Sequence, residues 1–182
     1  MEYIVEAKSR RELREIAEAF RKCLGLEKEL YFPIVEVLDV LAEVFEGFSY
    51  EIVEDSELPK STHADTDVMS GHIRIKESVY EGACNGEGRD RMTIAHEIGH
   101  YFTLCFCGFK FQRNFDDRKD IPNYCDPEWQ AKCFAGELLV PASLVGEMSP
   151  YAIAEECGVS LPAAKYQFDK LNMESGASRV RR

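Results

Sequence analysis

Two spacings of apolar residues divide the first half of the chain into elements. Leu13, Ile16, Ala17, Phe20 and Leu24 recur at helical intervals. Ser9 followed by Glu12 is a capping-box pattern, so a helix is predicted over 9–24, ending near Gly25. Pro33 suits the start of a second helix, with Ile34, Val37, Leu38, Leu41 and Phe45 as its stripe and Gly47 as its stop. Phe48 to Val53 instead alternates apolar and polar residues, as a half-buried strand does, and so does His72-Ile73-Arg74-Ile75. The polar stretch 55–67 between them reads as a loop, and the Gly- and charge-rich residues 82–90 read as a connector.

The second half is punctuated mainly by helix starts. A helix is predicted from Arg91 to about Leu104, with Ile94, Ala95, Ile98 and Phe102 on its buried face. Residues 107–126 hold no clear period and read as a long loop. Asp126-Pro127 places an N-cap before a proline suited to the first helical position, and Pro141 closes that helix near Val140. Ser149-Pro150 repeats the start for a short helix to about Cys157. Gly158-Val159-Ser160 then turns into a last helix over 161–172, and Glu174 to Arg182 reads as a flexible tail. The expected fold class is α+β, helices packed on a small sheet. The expected organisation is a main domain over 1–148, a helical segment over 149–172 and a tail over 173–182.

Composition narrows the function classes. The 182 residues suit one domain, and 45% apolar content supplies a core. A net charge of −11 disfavours binding to phosphate backbones, so no direct nucleic-acid partner is expected. Met1 to Lys8 lacks the basic start and apolar run of a signal peptide, and no window has the length of a membrane span. Seven scattered cysteines do not form a secreted disulfide framework. A cytoplasmic protein with reduced thiols and no membrane partner is expected, its oligomeric state left open.

The candidate chemistry lies in His96-Glu97-Ile98-Gly99-His100. Histidines at i and i+4 project from one helix face and can share one metal ion, with zinc the default. Glu97 lies about 100° round the helix, where a general base for a water on the metal is needed. The bland reading, two exposed histidines and a surface glutamate, leaves the apolar opposite face to bury a His-Glu-His set without a cation. A hydrolytic site takes three protein ligands, and Glu128, in the first turn of the 127–140 helix, suits as the third. Ala131 and Ala135 on the same face allow that helix a close approach. Glu137 lies round the other side and cannot ligate with Glu128. Cys105, Cys107, Cys125 and Cys133 lack the spacing of a zinc knuckle and read as free thiols. Manganese or iron also suits a two-histidine, one-carboxylate set.

Arg89 to His100 resembles the active-site helix of the ImmA/IrrE family of metallopeptidases, and Glu128 to Pro141 is similar to that family's second signature. The resemblance covers roughly residues 30–172 and departs from the pattern at Lys132-Cys133. It implies a zincin-like fold with a C-terminal helix-turn-helix-like segment, Glu128 as third zinc ligand, and Ile73, Arg74 and Ile75 as an edge strand that pairs with an extended substrate. It also implies an endopeptidase that cleaves a helix-turn-helix repressor of the Xre type, derepressing phage, mobile-element or stress genes. Two other readings stand beside it. One is a non-proteolytic module that binds a repressor or toxin–antitoxin partner. The other is a deformylase-like hydrolase with a cysteine ligand such as Cys84.

Overall fold

The computed structural model describes residues 4–105, 109–110 and 122–180. Helix α1 (Arg10–Cys23) begins where the capping box predicts: Ser9 Oγ accepts from the Glu12 amide, and Glu12 reaches back to the Ser9 amide at 2.7 Å. Its buried face carries Leu13, Ala17 and Phe20. Helix α2 (Ile34–Val44) buries Ile34, Val37, Leu38 and Leu41 of the predicted stripe, while Phe45 is its half-buried C-cap.

Strands β2 (Ser49–Val53), β3 (Ala64–Asp67) and β4 (His72–Lys76) form one sheet in the order β2-β4-β3. β2 runs parallel to β4, and β3 runs antiparallel to it. A separate two-residue strand, β1 (Ile4–Val5), pairs antiparallel with β5 (Phe109–Lys110). Two segments differ from the sequence reading. Residues 64–67 are a strand rather than part of a loop, and α3 (Glu77–Cys84) together with the start of α4 (Gly88–Cys105) occupies most of the expected connector. The Ala-Asp-Thr-Asp of β3 has no apolar alternation, because its polar side chains are held by tertiary partners: Asp65 by Arg74 and Thr66 by Glu97. The hairpin between β3 and β4 turns at Gly71, whose φ is +71°; a Cβ there would lie 2.2 Å from the Gly47 carbonyl oxygen.

Helix α4 is the central element. Its Phe102 ring sits 4.6 Å from Phe20 of α1 and 5.6 Å from Phe134 of α5 (Pro127–Leu139), so three helices meet on one aromatic stack. Each such pair contributes about 0.5–1.5 kcal/mol beyond its buried area. α4 and α5 approach closely at Gly99, where a Cβ would lie 2.8 Å from the Ala131 carbonyl oxygen.

The short α6 (Ala142–Val145) follows, then α7 (Pro150–Cys157) and α8 (Leu161–Val180). Ile153, Cys157, Val159 and Ala164 enter the main core, so the helical pair is part of the same body as the rest. Arg91 of α4, 1% exposed, donates to the Gly158 and Phe32 carbonyls at 2.8 Å and lies 3.8 Å from the Tyr31 ring centre. Burial lowers its pKa, as it does that of Arg21, whose guanidinium donates to the Leu138 carbonyl at 2.7 Å. Helix α8 runs past residue 172, and Glu174 is tied to Arg14 at 2.8 Å, so the expected tail begins inside a helix. Among the described residues, no helix is long and apolar enough to cross a membrane.

Candidate metal centre

Helix α4 places His96, Glu97 and His100, and the first turn of α5 places Glu128. The start of α5 is set locally: Pro127 occupies the first turn, and Asp126 Oδ1 accepts from the Glu128 amide at 2.9 Å. The close approach at Gly99–Ala131 then brings the two helices together. As a result, His96 Nε2 and His100 Nε2 lie 3.0 Å apart, and the Glu128 carboxylate lies 3.3 Å from the first and 3.4 Å from the second. The His100 and then the His96 side chain hold the Glu128 carboxyl well below the usual carboxylate range.

These three donors can hold a metal ion. Nitrogen and oxygen donors at about 2.0–2.2 Å from a tetrahedral cation lie about 3.3–3.6 Å from each other, close to the separations found. The donor chemistry agrees: two imidazole lone pairs and a carboxylate converge on one point. With Nε2 as the donor atom, the ring proton of each histidine belongs on Nδ1. His100 Nδ1 is buried with no hydrogen-bond partner among the described residues.

Glu97 is 7% exposed and makes a short contact the sequence did not suggest: its Oε2 accepts from Thr66 Oγ1 at 2.6 Å. Thr66 belongs to β3, and no local pattern linked it to α4. The three donors, Glu97 and the residues Ala64, Asp65 and Thr66 of β3 line one open polar cleft of about 470 Å³. Thr93 and His63 also line it, and His63 Nε2 lies 2.8 Å from Arg89 Nη2.

The expected substrate edge requires correction. Ile73, Arg74 and Ile75 belong to β4, the central strand, which is paired on both sides. Ile73 and Ile75 are fully buried, and Arg74 is paired with Asp65. Alternation identified a strand but could not say where in the sheet it lay; the strand beside the cleft is β3. Glu137 does lie away from the cleft, as its position on the helix required, and is paired with Arg10 and Arg14. His72 pairs with Ser49 and Glu51 outside the cleft.

By residue type, Tyr101, Tyr124, Tyr166 and Arg118 could each stabilise a reacting carbonyl, but Tyr101 is buried against Phe48, and Tyr124 and Tyr166 do not line the cleft. Arg118 and Cys107 lie outside the described residues. Cys133 and Cys157 are buried free thiols, pushed up to about 11 by burial, and Cys84 is exposed and outside the cleft lining.

No family model matches the chain, and no curated protein matches it. Among solved structures it is similar to a Mycobacterium tuberculosis transcriptional regulator, with a TM-score of 0.56 and 16% identity, over 85% of this chain and 45% of that one. The chain thus spans under half the length of that regulator. At this identity the likeness concerns the fold alone, and the chain has the α+β fold that its sequence pattern predicts.

Proposed function

We propose that the protein is a zinc-dependent endopeptidase with His96, His100 and Glu128 as ligands and Glu97 as general base. The observation that carries this reading is the convergence of the three donors beside a buried carboxylate, in a cleft open enough for a peptide. Zinc bound there would supply Lewis acidity, polarising a peptide carbonyl and lowering the pKa of water to about 7. Glu97 then accepts the proton of the attacking water and passes it to the leaving amine. Thr66 holds Glu97 Oε2, which leaves Oε1 for that water.

The outer edge of β3 bounds the cleft, and among the described residues β3 pairs only with β4. An extended peptide can add there as a further strand, with main-chain hydrogen bonds to β3. By the resemblance of its two signatures, the substrate is a helix-turn-helix repressor of the Xre type. A structural neighbour named as a transcriptional regulator is consistent with a role in transcription. Over residues 150–172 the α7–α8 pair carries Glu155, Glu156 and Asp169 against Lys165 and Lys170, which suits a partner-facing surface better than DNA.

The first test is metal content by mass spectrometry, wild type beside Glu128→Ala. About one zinc per chain, lost in the variant, is expected for a three-ligand site. The second is cleavage of the repressor: Glu97→Gln should keep zinc and lose cleavage. A partner-binding module has no use for a general base, so derepression that survives in Glu97→Gln would replace the peptidase reading with that one.

A further inference from the structure

A second cavity, of about 300 Å³, opens between α1, α5 and α8, and Met92 of α4 reaches it. It shares no lining residue with the metal cleft. Pockets for small ligands run from about 300 to 1,000 Å³ and combine apolar walls with a few placed polar groups. Here the walls are Met92, Trp129, Pro162, Ala163 and Tyr166. Ala163 stands near the start of α8 and offers only a methyl group, which helps to keep the space open.

The charge pattern decides what fits. Arg10 and Gln167 line the deep end, but both are already used. Gln167, 3% exposed, accepts from Arg10 Nη2, and Arg10 Nε lies 2.6 Å from the buried Glu137 carboxylate. The deep end is therefore neutral and suits an apolar body. The mouth differs. Lys132, which lines the cavity, is exposed and forms no ion pair among the described residues. In a chain of net charge −11, an exposed lysine without an ion-pair partner on the lining of an apolar cavity selects an anionic head. We propose that this cavity binds a small amphipathic carboxylate, its hydrocarbon body against Trp129 and its carboxylate on Lys132.

Trp129 is the single tryptophan of the chain, so its fluorescence reports ligand against it, and the Lys132 and Ala163 variants assign that ligand to this cavity rather than to the hollow beside Ser9 and Tyr124. The full chain is titrated with octanoate below its micelle concentration, and with octylamine, which has the same tail and the opposite charge. A saturable change with octanoate and none with octylamine is expected. Lys132→Gln should weaken octanoate about tenfold, the loss of one charge-assisted hydrogen bond. Ala163→Phe should abolish binding by filling the space. Glu128→Ala should leave the titration unchanged, which separates this site from the metal cleft. No saturable response to octanoate, equal binding of octylamine, equal affinity in Lys132→Gln, or loss of binding in Glu128→Ala would each overturn the proposal. Should Ala163→Phe fail to fold, the lysine variant and the amine still decide it.

Discussion

Helix α5 carries a glutamate at each end, and their surroundings are opposite in kind. Glu137, at the C-terminal end, is 1% exposed and lies 2.6 Å from Arg10 Nε and 2.7 Å from Arg14 Nε. Both cations come from α1, and Glu174 of α8 balances the second charge. That cluster is complete within the chain. Glu137 and Glu174 hold the Arg14 guanidinium above its ordinary pKa, so it stays charged at any working pH. Glu128, at the N-terminal end, has a 70% exposed side chain and faces two imidazole nitrogens rather than a guanidinium. With the ring protons on Nδ1, all three of those groups offer lone pairs. The comparison teaches that a carboxylate buried among guanidinium groups is complete within the chain, whereas one set beside two imidazoles leaves room for a metal ion as its cation.

The comparison can be broken or sharpened by substitution. The largest effect is expected beside the Glu128 end: Glu97→Gln should cut repressor cleavage by about 10²–10⁴-fold, the range of general acid–base catalysis, with zinc content and melting temperature unchanged. A fall in zinc content would instead make Glu97 part of the metal's support. At the Glu137 end the effect should fall on folding. Glu137→Ala leaves Arg10 and Arg14 in a largely buried setting with Glu174 as their one carboxylate and should cost about 3–5 kcal/mol in urea denaturation. A loss below about 1 kcal/mol would mean that the cluster is solvated and the contrast between the two ends is false.

Third, zinc at about a hundred times its dissociation constant should add about 2.7 kcal/mol to the wild type, read as a rise in thermal midpoint. Glu128→Ala should remove that gain while changing the metal-free protein by less than about 0.5 kcal/mol, as an exposed position does. Equal stabilisation of both proteins would place the zinc elsewhere. Gly99→Ala tests the helix contact that joins the ligands: with backbone of Ala131 in the way, about 1–3 kcal/mol of overpacking cost is expected, and zinc affinity should drop with it. The smallest effect is the cap. Asp126→Ala should cost about 1 kcal/mol by denaturation, and a neutral result would show that Pro127 alone sets the start of α5.

Much of this molecule is written in local pattern. Ser9 with Glu12, Asp126 with Pro127 and Ser149 with Pro150 each satisfy helix-start amides within three residues, so those starts were legible without a fold. His96 and His100 were legible for the same reason, because one helical turn alone puts them on one face. Glu128 needed only the face of a second helix. Tertiary structure decided what depends on residues distant in the chain. It made the polar 64–67 a strand, because Asp65 and Thr66 find partners on β4 and α4 rather than on their own segment. It put Ile73–Ile75 at the centre of the sheet instead of its edge, since strand order is set by which strands meet and not by how each alternates. It also joined Thr66 to Glu97, Arg10 and Arg14 to Glu137, and Lys132 to an open cavity. Sequence by itself therefore determined the elements and the donor types, which follow from bonds spanning one turn. Folding alone decided which side chains face each other, because that depends on the packing of helices and strands far apart along the chain.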